Sequence, residues 1–142
     1  PLYQRKNILS WFNKELKSKE KNKYYKAASI WNEYESSCST LRYVERKNSG
    51  EESLAIAKIE VHYFINNCFL TENYIMDNLD KILHLPCVIV QGRHDVICPP
   101  FNAFSLSQSW KNCKIDIVED GAHSAFEKNM FEKIIGALSQ IY

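Results

Sequence analysis

Apolar positions in the first half of the chain recur at helical spacing. In "NILSWFNKELK", Ile8, Leu9, Phe12 and Leu16 fall near one face. In "YYKAASIWNEYESSCSTL", Ala27, Ile30, Trp31, Tyr34 and Cys38 do the same. Asn48-Ser49-Gly50 breaks the chain, and Ser49 or Ser53 is placed to cap the next helix. That segment, "EESLAIAKIEVHYFINNCFL", repeats apolar residues at Leu54, Ala57, Val61, Phe64 and Ile65 and predicts a helix of about five turns. It is apolar on several sides, so another element should cover it.

After Pro86 the pattern changes. "CVIVQG" is a short β-branched run without alternation, as in a strand buried on both faces of a parallel sheet. Residues 101–110, "FNAFSLSQSW", predict a helix begun after two prolines. "CKIDIVED" predicts a second strand and "AFEKNMFEKIIGALSQIY" a closing amphipathic helix. The order strand–helix–strand–helix predicts an α/β unit with parallel strands. Two strands cannot hide both faces and both edges of a sheet. Either further strands precede Pro1 in a longer polypeptide, which is the preferred reading, or the module pairs with another chain.

Composition narrows the function classes. The 142 residues are 45% hydrophobic and 25% charged, which suits one globular domain. The net charge of +1 conceals a basic start, with eight Lys/Arg against two acids in residues 1–26. That stretch lacks interleaved aromatics and reads as a solvated helix end and loop rather than a nucleic-acid surface. The five cysteines are widely spaced without a CxxC pair, which argues against a zinc site or a disulfide scaffold and for reduced thiols in the cytoplasm. No apolar run approaches the roughly 18 residues of a membrane span, and no signal-peptide pattern opens the chain. Neither nucleic acid nor membrane is an expected partner.

Candidate chemistry sits at the two strand ends. Asp95 follows Gly92 by three residues, and His123 lies in "EDGAHSAFE" after the second strand. Open α/β sheets place their chemistry at the carboxyl ends of strands. Parallel neighbours about 4.8 Å apart bring two such loops within hydrogen-bonding reach. Each residue alone has an ordinary explanation, as a turn former or an incidental histidine. Together, in the order acid then histidine, they match the α/β-hydrolase order of nucleophile, acid, histidine. The expected Gly-x-Ser-x-Gly elbow is absent, since none of the four glycines flanks a serine in that manner. No glycine-rich phosphate loop is present either. Two further carboxylates, Glu35 beside Trp31 and Tyr34, and Glu60 beside Tyr63 and Phe64, lie among aromatics. They are either ordinary exposed glutamates or a pair able to hold a substrate ammonium.

The blocks "AASIWNEYESSCSTL", "AKIEVHYFINNCFL", "VIVQGRHDVICPPFNAFSLSQSW" and "VEDGAHSAFE" together resemble the proline iminopeptidase (prolyl aminopeptidase) family of α/β-hydrolases, in register from about Ala27 onward. The resemblance implies the C-terminal part of an α/β-hydrolase fold. Residues 1–84 would form a mainly helical cap segment, and residues 85–142 the last two parallel strands with their helices. It implies a serine aminopeptidase that releases N-terminal proline from peptides without metal or organic cofactor. Asp95 would be the triad acid, His123 the triad base, and Glu35 and Glu60 the cap glutamates that bind the substrate α-amine. The serine would come from the N-terminal half of the same polypeptide, and this segment alone would be inactive. Two positions depart from the family pattern: Tyr34 stands where Trp is usual, and Ala122 separates Gly121 from His123. The competing readings are a truncated, non-catalytic peptide-binding paralogue and a hydrolase of esters, amides or epoxides. Paired cap glutamates argue against the last, because neutral substrates offer them no cation.

Overall fold

The computed structural model describes residues 7–42 and 50–139. Its elements follow the order α1 (Ile8–Leu16), α2 (Lys21–Ser39), α3 (Glu51–Ile65), the short α4 (Tyr74–Asp77), β1 (Cys87–Gly92), α5 (Pro100–Ser109), β2 (Cys113–Val118) and α6 (Lys128–Leu138). They form two compact units that interleave along the chain. One comprises Pro1–Ser36 with Glu45–Glu72, the other Ser37–Val44 with Asn73–Tyr142.

The first unit is helical. Asn7 caps α1, its Oδ1 accepting from Ser10 N at 3.1 Å. Phe12, Leu16, Ala27, Ala28, Trp31, Leu54, Ala57 and Val61 make its buried core. Small residues let the helices approach: Ala57 is fully buried, and Ala27 and Ala28 are 1% exposed. The Phe12 ring then stands edge-on to Trp31, with centroids 5.0 Å apart. Asn32 ties α2 to α3 by donating from Nδ2 to Ser53 O at 2.9 Å and to Ala28 O at 2.7 Å. Burial of Leu54, Ala57 and Val61 agrees with the expected covered face of α3, whereas Phe64 is 44% exposed.

Two expectations for α3 need correction. Ser53 does not cap it; the cap position is Gly50, whose φ of +96° suits glycine, and Ser53 is buried one turn inside. Ser49 and Asn48 lie outside the described residues. The helix also stops at Ile65 rather than continuing to Leu70. Asn66 Nδ2 donates back to His62 O at 2.7 Å, and Asn67, Cys68 and Phe69 then turn through the left-handed region, with φ between 51° and 58°. Phe69 packs on the rings of His62 and Tyr63 across this turn.

The second unit carries the sheet. Strands β1 and β2 pair in parallel, in register from Cys87↔Cys113 to Gly92↔Val118. Between them α5 begins with Pro100 at its first position, one residue before the expected start, and packs on both strands. Helix α6 also packs on both, and it starts at Lys128 rather than Ala125; residues 140–142 of its expected span lie outside the described residues. Trp110, at the end of α5, donates from Nε1 to Leu85 O at 3.1 Å and so fixes the entry to β1. Full burial of β1 on both faces is not observed: residues 87–90 are half-buried, and only Gln91 and Gly92 are buried. A two-stranded sheet lacks the neighbouring strands that bury such a run. Two parallel strands with their helices are compatible with a partial α/β fold.

Candidate active site

The end of β1 and the loop after β2 are laced together by backbone bonds. Arg93 N donates to Val118 O and His94 N to Gly121 O, both at 3.0 Å, which extends the pairing past the strands. Asp95 N then folds back to Gly92 O at 3.3 Å. This turn aims the Asp95 side chain, which is only 7% exposed, inward along its own loop. Its Oδ1 accepts from Ile97 N at 2.9 Å and from Cys98 N at 2.7 Å, as turn-forming aspartates do.

The second oxygen has a different partner. His123 Nδ1 lies 3.0 Å from Asp95 Oδ2, and the histidine side chain is 37% exposed. A proton on Nδ1 donated to the carboxylate fixes the tautomer and leaves Nε2 to exchange protons. The two residues singled out in the sequence are thus brought together, at adjacent carboxyl strand ends. Asp95 both forms its turn and meets the imidazole.

The roles of three supporting residues escaped the sequence reading. Gln91 Nε2 reaches Gly92 O at 3.1 Å, Cys98 O at 3.2 Å and Asp95 Oδ2 at 3.4 Å, so a buried amide braces the acid loop from beneath. Its only sequence signal is a polar residue closing an apolar run. Glu127 holds the histidine loop: Oε2 accepts from Ala122 N at 2.7 Å and Oε1 from Leu41 N at 2.8 Å. Ser124 N adds a bond to Ser39 O at 2.8 Å. Gly92 is the third, because a Cβ there would lie 2.1 Å from Ala122 O. Only glycine lets the histidine loop cross so close to the strand end.

Cys98 stands beside the pair. As a residue it is exposed, yet partial burial around its sulfur pushes the thiol up, and the charge of Asp95 adds to that. Donor atoms of Asp95, Cys98 and His123 all lie within 4.8 Å of one another. At the rim, Arg93 and Glu119 form an exposed ion pair that favours the charged form of each.

The two glutamates belong to the helical unit. Glu60, half-buried on α3, accepts from the Trp31 indole Nε1 at 2.5 Å. Glu35, half-buried on α2, follows Trp31 by one turn, and Tyr34 beside it is 68% exposed. Of the two expected amine ligands, Glu60 is thus positioned by an aromatic neighbour, with one carboxylate oxygen taken by the indole.

A buried acid and a histidine are thus joined at neighbouring carboxyl ends of parallel strands, the edge at which open α/β sheets carry their chemistry. No protein-family model matches the chain. In sequence it is nonetheless similar to several proline iminopeptidases, which are α/β-hydrolases. It is similar to the proline iminopeptidase of Arabidopsis thaliana, with 35% identity over 136 residues, 92% of this chain and 36% of that protein. The probable proline iminopeptidase of Leptolyngbya boryana is 34% identical over 96% of this chain and 44% of its own length. That of Neisseria meningitidis serogroup A is 34% identical over 81% of this chain and 37% of its own length. The chain therefore spans less than half the length of these relatives, an extent consistent with a C-terminal portion.

Proposed function

We propose that this chain is the acid–base portion of a serine aminopeptidase that releases N-terminal proline from peptides. The observation that carries the reading is the 3.0 Å contact of His123 Nδ1 with a carboxylate whose other oxygen is held by two backbone N–H groups. Sequence similarity to proteins named proline iminopeptidase supports the substrate class.

In this reading a serine hydroxyl from polypeptide outside these 142 residues attacks the carbonyl of the N-terminal proline. His123 Nε2 takes the hydroxyl proton and later gives it to the departing amine, while Asp95 stabilises the imidazolium formed between the two steps. Residues 1–84 form a helical cap and residues 85–142 the end of the hydrolase core. Glu35 and Glu60 hold the substrate ammonium and so measure its distance from the scissile carbonyl. No helix among the described residues is long and apolar enough to cross a membrane. With five unbridged cysteines, the cytoplasm is the compartment assigned.

The deciding experiment measures release of a chromogenic amine from proline arylamide by the intact protein and its His123→Ala variant. Turnover by the first and loss in the second, with unchanged circular dichroism, supports the reading. Equal rates would remove His123 from the mechanism.

A further inference from the structure

We propose that Asp95, Cys98 and His123 form an inhibitory site for a borderline-soft divalent metal ion, Zn²⁺ being the type case. The coordination stands on geometry alone; its inhibitory consequence rests on the role given to His123 above. One carboxylate oxygen, one thiol sulfur and one imidazole nitrogen lie within 4.8 Å of one another. A tetrahedral zinc ion with bonds of about 2.0–2.3 Å holds its donors roughly 3.3–3.8 Å apart. Asp95 Oδ2 and His123 Nδ1, at 3.0 Å, are already close to that spacing, and the Cys98 side chain has to move by only about an ångström.

The backbone of the cysteine is fixed beside the other two ligands. Its N–H donates to Asp95 Oδ1 at 2.7 Å and its carbonyl accepts from Gln91 Nε2 at 3.2 Å, so backbone bonds fix it on both sides. The same Gln91 approaches Asp95 Oδ2. Gln91 thus braces the backbone of one ligand and the carboxylate of another, as outer hydrogen bonds do around metal sites. A mixed S, N and O donor set suits Zn²⁺ and not Mg²⁺ or Ca²⁺, which take oxygen ligands.

Charge and protons balance without any change of oxidation state. The aquo ion loses waters, the Cys98 thiol gives its proton to solvent, and the imidazole moves its Nδ1 proton to Nε2. Thiolate and carboxylate together offset the dipositive charge, and one water stays at the fourth position. The consequence is specific: with Nδ1 on the metal and a proton on Nε2, the ring has no lone pair to receive the nucleophile's proton.

The test titrates the intact protein with Co²⁺, whose thiolate complexes absorb strongly in the near ultraviolet, and then displaces it with Zn²⁺. One equivalent should give a saturable band that is lost in Cys98→Ser and His123→Ala and kept when Cys87 and Cys113 are both replaced by serine. Zn²⁺ should also slow alkylation of Cys98 in the unmodified protein, read by mass spectrometry, because the metal-bound thiolate is no longer free to attack. With proline arylamide, Zn²⁺ should abolish turnover reversibly, and chelator should restore it. No saturable band, a band that survives Cys98→Ser, or unprotected Cys98 would overturn the site. A band without any turnover in metal-free protein would keep the site and sink the aminopeptidase reading instead.

Discussion

Gly92 and Ala122 touch without space for one more carbon: a Cβ on Gly92 would stand 2.1 Å from the Ala122 carbonyl oxygen. The end of β1 and the loop that carries His123 are therefore packed backbone to backbone. Gly92→Ala must push that loop away. Misplacing a catalytic group by about 1 Å costs on the order of 10²-fold in rate, and overpacking costs about 1–3 kcal/mol in stability. Steady-state kinetics beside thermal unfolding of the intact protein should show a loss of kcat far exceeding the fall in Tm. A variant with native kcat would show that the loop tolerates displacement.

Asp95→Asn separates orientation from folding. The amide oxygen can still accept from Ile97 N and Cys98 N, so the loop should keep its shape. Toward His123 the carboxylate is replaced by a group that favours the wrong tautomer, an effect of about 10⁴ in kcat where such an acid supports a catalytic histidine. Circular dichroism should be unchanged. Activity within a few-fold of the parent would exclude Asp95 as the orienting acid.

Glu60 is tested with its indole bond retained. Glutamine keeps a carbonyl for Trp31 Nε1 but removes the charge proposed to meet the substrate ammonium. Glu60→Gln, and Glu35→Gln in parallel, should weaken processing of proline amides by about 1.5–3 kcal/mol, the range for a hydrogen bond to a charged group. Identical kcat/KM for both variants and the parent would eliminate the amine site.

Alkaline stability should report on Tyr25. Its hydroxyl donates to the Glu51 carboxylate, and that bond pushes its pKa up from 10.0 to about 12. A group with a raised folded pKa adds stability in full below its unfolded pKa and loses it as pH climbs through the folded value. Denaturant midpoints should therefore fall between pH 10 and about 12. Tyr25→Phe should flatten that part of the profile, and an unchanged slope would assign the fall to other groups.

Much of the architecture was readable from periodicity and punctuation. The 3.6-residue repeat placed the helices, the β-branched runs placed both strands, and the two prolines fixed the start of α5. Asp95 and His123 were readable because each stands just past a strand. The end of α3 was not, because apolar residues resume at Cys68, Phe69 and Leu70 although Asn67, Cys68 and Phe69 turn the backbone. Gln91 and Glu127 were invisible for a different reason. Their roles come from tertiary partners: Glu127 meets Leu41 across 86 residues of chain, a separation no local pattern encodes. Glycine at 92 reads as a turn until the loop above it is placed.

Glu127 grips two strands of backbone with one side chain, the amide of Leu41 by one oxygen and that of Ala122 by the other. Residues 39–41 and the imidazole loop consequently share one anchor, and neither can shift without loading the other. A proline at position 41, which removes the N–H that Glu127 holds, would therefore loosen the seat of the imidazole loop while leaving Asp95 and His123 themselves unchanged.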